Sequence, residues 1–193
     1  MEHDYAARGV HVLTGASTSP APPGGPRAAV ADGRPDPVRT VHFHDPDAPP
    51  ATAVVPSVFV AVRDPLSRLL LVRRCDSGAW ELPGGRVDVG ESAQAAALRE
   101  TVEESGVWVR ITGLVGLYTD PGHVVRAVDG TVRQQFVVVF RARPLDGSPS
   151  GDQCETCDAA WVAPRDVDRM PVDRPVRRWI VDALCLDASP QLA

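Results

Sequence analysis

The sequence contains no lysine and no asparagine, and all 20 of its basic residues are arginine. Both missing amino acids have AT-rich codons, so their absence indicates a GC-rich, bacterial genome. The arginines are scattered along the chain, and the formal net charge is −5. Because non-specific nucleic-acid binding depends on clustered basic residues, this charge pattern argues against a nucleic-acid partner.

Long apolar runs are also missing. No uninterrupted run reaches the roughly eighteen residues that a membrane span requires, so we expect no membrane partner. The first residues, MEHDYAARGVHVLTG, include early acidic residues and do not resemble a secretory signal. We therefore expect a cytoplasmic protein.

Cysteine is scarce for a chain of 193 residues, which excludes a disulfide framework. Cys154 and Cys157 form a CxxC pair, but a zinc ribbon would need a second pair at similar spacing. We interpret them as free thiols in a loop, with a redox or metal role as the alternative.

The order of apolar segments predicts one domain between irregular ends. We predict a disordered or loosely docked Pro/Ala/Gly-rich arm at 1–40, an extended lead-in at 41–53, a compact domain at 54–186 and a tail at 187–193. VVPSVFVAV and LLLVRR are typical of strands and together resemble a hairpin, and SAQAAALRETVEES is typical of a helix. Further strands and a second helix follow, which predicts a mixed sheet between helices, an α/β fold.

Three glutamates crowd one turn of the first helix. On a helical wheel Glu100, Glu103 and Glu104 fall within roughly a 100° arc. We predict that Ala95, Leu98 and Val102 form the opposite, core-facing side, and that Ala96 and Ala97 leave room beside the carboxylates. Like charges at these spacings destabilise a helix, and acidic groups near its C-terminus oppose the helix dipole. A solvated acidic face remains one interpretation, but a divalent cation such as Mg²⁺ or Mn²⁺ explains the cluster better.

The surrounding residues resemble the signature of the Nudix family. From Gly85 to Val107 the sequence follows the family's pattern of Gly, five residues, Glu, seven residues, Arg-Glu, an apolar residue, any residue, Glu-Glu, any residue, Gly and an apolar residue. The specified positions are Gly85, Glu91, Arg99, Glu100, Thr101, Glu103, Glu104, Gly106 and Val107. Thr101 departs from the pattern, since an aliphatic residue is usual there.

This resemblance implies a Nudix-type α/β/α sandwich that hydrolyses a nucleoside diphosphate linked to another moiety, using Mg²⁺ or Mn²⁺. It implies metal ligation by Glu100, Glu103, Glu104 and the carbonyl of Gly84. It also implies that Arg99 orients the glutamates by ion pairing and that Glu91 holds the loop and helix together. Gly85 and Gly106 are structural positions of the motif.

A crowded carboxylate has a raised proton affinity, so one of these glutamates could act as the general base. In some relatives the base lies on a later loop instead, and Glu155 in GDQCETCDAAW is our candidate there, with Asp158 as second choice. An ordinary solvated acid is the alternative for each.

Residues that contact the substrate are harder to select. Candidates are Arg73 and Arg74, which alternate at the end of a strand, Trp80 as a base-stacking residue, Tyr118 in a loop, and Gln134 beside Arg133 and Gln135. Packing or surface roles are the alternative for each.

Three functions remain open. The first is an enzyme acting on ADP-ribose, a nucleotide sugar, a dinucleotide or an oxidised nucleoside triphosphate. The second is a non-catalytic or regulatory Nudix domain, and the third is an enzyme acting on a non-nucleotide diphosphate. The intact set of box carboxylates favours an enzyme. Many family members are dimers, so a homodimer is included among the expectations.

Overall fold

Valine-rich segments form the centres of the long strands AVVPSVFVAV and VRQQFVVVFRARPLD, as the strand propensity of valine predicts. The computed structural model of the protein describes residues 38–185 and 189–193. Within them, the strands are β1 Thr40–Phe43, β2 Ala53–Val62, β3 Leu69–Arg74, β4 Trp80–Glu81, β5 Gly84–Arg86, β6 Trp108–Tyr118, β7 His123–Arg126, β8 Val132–Asp146, β9 Thr156–Val162 and β10 Gln191–Leu192. The helices are α1 Ala93–Ser105 and α2 Arg174–Leu184, and a 3-10 helix covers Pro164–Arg169.

The strands form two sheets. The larger one has the order β1-β7-β8-β2-β5, with β6 on β8 and β10 on β6, and the smaller one has the order β4-β3-β9. Strands β2 and β8 run parallel and most other pairs run antiparallel, so the predicted mixed sheet is confirmed. The predicted β2–β3 hairpin is wrong beyond one bridge, Arg63–Leu69, because β3 pairs with β4 and β9 in the other sheet.

The two helices cover opposite faces of the larger sheet. Strand alternation divides β2, so that Phe59 and Ala61 pack with α2 residues such as Trp179, whereas Val58 and Val60 pack with Ala96 and Ala97 of α1. The predicted α/β/α fold class is therefore confirmed. Among the described residues, no helix is long and apolar enough to cross a membrane.

The ends of the chain touch this frame at two described places. Strand β1 pairs with β7 inside the segment we expected as arm and lead-in, and Gln191–Leu192 pairs with Gly116–Leu117 inside the expected tail. Most of the predicted arm, 1–37, and residues 186–188 lie outside the described residues. The domain division remains a prediction.

Helix α1 has clear ends but buries a different face from the predicted one. The Ser92 hydroxyl accepts a hydrogen bond from the Ala95 amide, and Gly106 ends the helix in the left-handed conformation at φ 68°. The buried residues are Ala96, Ala97, Thr101, Glu104 and Ser105, whereas Leu98 is 39% exposed.

The expectation of a core face at Ala95, Leu98 and Val102 is therefore wrong, as is the room expected beside Ala96 and Ala97. Small side chains let the helix lie close to the sheet. The hydroxyls of Thr101 and Ser105 can be buried because each donates to a carbonyl one turn earlier, at Ala97 and Thr101.

Candidate active site

A charged cleft of about 710 Å³ opens between α1, strand β5 and the loop before β9. Carboxylates and arginines line it together: Glu81, Glu100, Glu103 and Glu155, with Arg39, Arg74, Arg86, Arg99 and Arg133. Such a mixture of charges suits a ligand that is itself highly charged and brings cations with it.

Arg99 holds the carboxylates of the loop and helix in place. Its guanidinium donates to both carboxylate oxygens of Glu91, at 2.8 and 2.9 Å, and to Glu100 and Glu103 at 3.0 Å each. These bonds raise the pKa of Arg99, and the same contact lowers the pKa of Glu91. The ion-pairing pattern that the resemblance implied for Arg99 is thus present in the structure.

Glu104 is buried at the centre of this arrangement. The residue is 4% exposed, and its Oε2 accepts a hydrogen bond of 2.8 Å from the Gly84 amide. Burial, together with the neighbouring charge of Glu81, raises the pKa of Glu104 well above its usual value, although the Gly84 bond opposes the shift. A carboxylate in this position gains from any positive charge brought near it.

Glu100 lies against Gly85 of strand β5. A side chain at Gly85 would place its Cβ 2.5 Å from Oε1 of Glu100, so glycine leaves the space that this carboxylate occupies. Burial raises the pKa of Glu100, and Arg99 opposes the shift while Glu103 and Glu155 add to it. The carboxylates of Glu100, Glu103 and Glu155 therefore repel one another in the same cleft.

The donor chemistry of this group fits a hard divalent cation. Within residues 38–185 and 189–193, no three His, Cys, Asp or Glu side chains form a ready-made metal cluster. Carboxylate oxygens gathered at one site are nevertheless the ligands that Mg²⁺ and Mn²⁺ prefer.

Sequence reasoning missed Glu81, which is 3% exposed and lines the same cleft. Its Oε1 lies 3.4 Å from Nη1 of Arg74, and its Oε2 lies 3.7 Å from Nη1 of Arg39. The sequence feature that could have indicated Glu81 is its position directly before Leu82-Pro83-Gly84. The cleft residues Arg39, Arg86 and Ser57 were also missed, because they are separated in sequence and carry no motif.

The predicted substrate residues lie in several places. Arg74 lines the cleft, but its Nε and Nη2 already donate to Asp76 at 3.0 and 3.2 Å. Arg73 packs over Trp80 and lies 3.8 Å from Asp158, and none of these three residues is part of the cleft lining. Gln134 lies outside the lining, whereas its neighbour Gln135 is part of it.

Tyr118 is the last residue of β6 and does not lie in a loop as predicted, and its surroundings contrast with those of Glu155. The Tyr118 hydroxyl donates to Asp182 at 2.7 Å, and the ring packs near Trp179 in the core, outside the cleft lining. Glu155 lines the cleft with a side chain 68% exposed, 4.0 Å from Arg74. Cys154 also lines the cleft, and Cys154 and Cys157 are both free thiols.

Comparison with known proteins agrees with this fold. The NUDIX domain family matches residues 54–182. A Bacillus subtilis (strain 168) relative whose name refers to an 8-oxo-dGTP diphosphatase is 37% identical over 106 residues, which is 55% of this chain and 64% of that protein. A MutT-like protein of Streptomyces ambofaciens is 34% identical over 126 residues, 65% of this chain and 73% of that protein. The chain thus spans about two thirds of the length of these relatives.

A solved structure, an ADP-ribose pyrophosphatase from Streptococcus suis 89-1591, shares the fold at a TM-score of 0.56 and 20% identity, covering 72% of this chain and 96% of that one. The sandwich and its carboxylate helix are the fold and the element expected of a Nudix domain. The chain belongs to the Nudix family, as the signature between Gly85 and Val107 predicted.

Proposed function

We propose that this protein hydrolyses a diphosphate bond in a nucleoside diphosphate linked to another moiety, such as ADP-ribose or a nucleotide sugar, with Mg²⁺ or Mn²⁺. The observation that carries the proposal is the joint presence of Glu100, Glu103, Glu155 and five arginines around one cleft. A diphosphate needs both signs of charge, since its oxygens require cations and its attacking water requires a base.

Glu100, Glu103 and Glu104, with the Gly84 carbonyl, would hold the metal. When bound, the ion would neutralise the diphosphate and lower the pKa of a bound water. Arg99 keeps Glu100 and Glu103 in fixed positions through hydrogen bonds of 3.0 Å each, and Glu91 in turn holds Arg99. Fixed ligands avoid the cost of reorganisation during the reaction.

Glu155 is proposed to accept the proton of the attacking water. It lines the cleft, is largely exposed and lies at the edge of contact with Arg74, so its carboxylate can move toward a substrate. Asp158 is less suitable for this role, because it lies beside Arg73 and outside the cleft lining.

Names of relatives favour nucleotide substrates of two kinds. One relative's name refers to an 8-oxo-dGTP diphosphatase, and a structural neighbour is an ADP-ribose pyrophosphatase. A non-nucleotide diphosphate has no comparable support among these proteins. The complete set of box glutamates favours catalysis over a purely regulatory role.

Product analysis by mass spectrometry on a panel of diphosphates tests the proposal. The panel contains ADP-ribose, UDP-glucose, diadenosine tetraphosphate and 8-oxo-dGTP, each with Mg²⁺, with Mn²⁺ and with EDTA. Glu104→Gln serves as the blank, because its amide oxygen can still accept the Gly84 bond while the negative charge is lost.

We expect metal-dependent cleavage by the natural protein and a loss of at least about a hundredfold in Glu104→Gln with its fold intact. Circular dichroism and thermal melting check the fold. Absence of cleavage across the panel by folded protein, or near-normal turnover by Glu104→Gln, would refute the proposal.

A further inference from the structure

Arg133 is a half-buried cation without a counter-ion in the part of the chain that the structure describes. Its Nε is buried and has no hydrogen-bond partner there. No carboxylate of the described residues lies within ion-pair distance of it. Arg74 and Arg99 in the same cleft, by contrast, form ion pairs with neighbouring carboxylates. Burying an uncompensated charge is costly, so such a residue requires an explanation.

The sheet register places Arg133 in a polar row across the floor of the cleft. On the edge strand, Arg86 pairs with Ser57 of β2. The Ser57 hydroxyl donates to Oε1 of Gln135 at 3.0 Å, and Arg133 lies two residues before Gln135 on the same face of β8. Arg133 pairs with Ala53 of β2, whereas Gly84 pairs with Phe59, so Arg133 lies two strands away from Gly84 and six residues away along the strand direction.

The charges around Arg133 differ from those around α1. Burial lowers its pKa, and the like charges of Arg86 and Arg39 lower it further. Asp129 is the carboxylate that opposes this shift, and its Oδ1 already accepts from the Thr131 hydroxyl and amide at 2.7 and 2.9 Å. Arg74 adds a third like charge. This part of the cleft therefore has an excess of positive charge.

Donors for a negatively charged group are already gathered there. Gln135 lines the cleft, and because its Oε1 accepts from Ser57, its NH₂ group remains available as a donor. Arg133 and Arg86 offer planar guanidinium groups, which bind phosphate and carboxylate oxygens in pairs.

We propose that Arg133, with Arg86 and the Gln135 amide, forms an anion subsite that selects substrates carrying a further phosphate or carboxylate beyond the scissile diphosphate. The inference rests on the proposed function, since it assigns the scissile diphosphate to the glutamate end of the cleft. The shared chemistry of the ligand is an oxyanion. It can belong to a phosphate on the nucleoside, to a carboxylate on the attached sugar or to a third phosphate in the chain.

Matched substrate pairs that differ in one anionic group distinguish these sources. The pairs are ADP-ribose and its 2′-phosphate, UDP-glucose and UDP-glucuronate, and dGDP and dGTP. In at least one pair we expect the natural protein to favour the more charged member by about tenfold or more in kcat/KM.

Arg133→Gln should abolish that preference by raising the KM of the more charged member to that of the less charged one. Arg143→Gln is the matched control, because Arg143 lies on the same strand with its side chain exposed. Arg133→Lys, which keeps the charge, should retain part of the preference and serves if the glutamine variant does not fold. Equal selectivity in Arg133→Gln and the natural protein would overturn the inference, as would an equal loss for both members of each pair.

Calorimetric binding of the same pairs in EDTA separates this inference from the proposed function. Tighter binding of the charged member, lost in Arg133→Gln, supports the subsite even if no compound is hydrolysed, in which case the proposed function alone fails. Equal affinity for both members of every pair in the natural protein overturns the subsite, whatever the hydrolysis assay shows.

Discussion

At the scale of single residues, the two glycines of β5 have different roles. A Cβ at Gly84 would lie 2.1 Å from the Val58 carbonyl oxygen and 2.7 Å from Cα of Phe59, both of which are backbone atoms. A Cβ at Gly85 would instead meet the carboxylate of Glu100, the far end of a flexible side chain. Gly84 thus allows close backbone contact within the sheet, and Gly85 leaves the space that the Glu100 carboxylate occupies.

Alanine should therefore impair mainly stability at Gly84 and mainly activity at Gly85. Gly84→Ala should lower the free energy of unfolding by about 2 kcal/mol or more, because backbone must move. Gly85→Ala should cost less than about 1 kcal/mol but lower kcat by at least about tenfold, because Glu100 is displaced. Urea unfolding and steady-state kinetics on both variants measure this, and a fully active Gly85→Ala protein would contradict the role given to Glu100.

His123 predicts how stability depends on pH. The ring is 6% exposed and packs near Phe43 and Trp179, and burial together with the charge of Arg39 lowers its pKa to about 4. The unfolded chain, with a pKa near 6.5, binds a proton more readily than the folded protein does. Stability should therefore be complete above about pH 6.5 and fall as the pH drops toward 4, by up to about 3 kcal/mol from this group.

His123→Phe keeps an aromatic ring in place and removes the titration. Thermal melting between pH 4 and 7.5 should show a shallower loss for the variant than for the natural protein. Two parallel curves would show that His123 is not the group responsible.

At the scale of elements, helix α1 buries a face made mostly of small side chains, some of them polar. Thr101, at the position where the family usually has an aliphatic residue, is fully buried and donates to the Ala97 carbonyl at 2.7 Å. That carbonyl is also the acceptor of the helical hydrogen bond from the Thr101 amide, so the hydroxyl is a second donor to an already paired group.

Thr101→Val should therefore change the free energy of unfolding by less than about 0.5 kcal/mol, since shape is kept and the carbonyl stays paired. Thr101→Ala should cost about 1 kcal/mol or more, because it leaves space against the sheet. Urea unfolding of both variants tests this, and a larger loss in the valine variant than in the alanine variant would show that the hydroxyl matters more than packing.

The same helix shows why sequence patterns predicted the ion pairs of Arg99 better than the packing of the helix. The spacing of Glu91, Arg99 and Glu100 belongs to one continuous segment, so the motif reports a local arrangement directly. The buried face was predicted from apolarity, which favoured Leu98 over Ala96 and Thr101. Close helix–sheet contact favours small residues instead, and that contact depends on strands distant in sequence. The wrong prediction of a β2–β3 hairpin has the same cause, because β2 pairs with β8, a strand distant in sequence.

At the scale of the whole molecule, the cleft is assembled from segments that lie far apart in the chain. Glu81 comes from β4, Glu100 from α1, Arg133 from β8 and Glu155 from the loop before β9. The family and fold class could be predicted from one segment of the sequence. The arginine-rich part of the cleft could not, because strand order brings Arg86 and Arg133 to one face and no local pattern encodes strand order.

The central claim is that the clustered glutamates of this fold bind a divalent cation. The most direct measurement is titration of the metal-free protein with Mn²⁺, following free Mn²⁺ by electron paramagnetic resonance. The natural protein and the Glu100→Gln and Glu104→Gln variants are compared, with Asp168→Asn as a control at an exposed carboxylate outside the cleft lining. We predict saturable binding by the natural protein and the control, weakened at least about tenfold in both glutamate variants. Binding that is absent, or equally strong in all four folded proteins, would contradict the account.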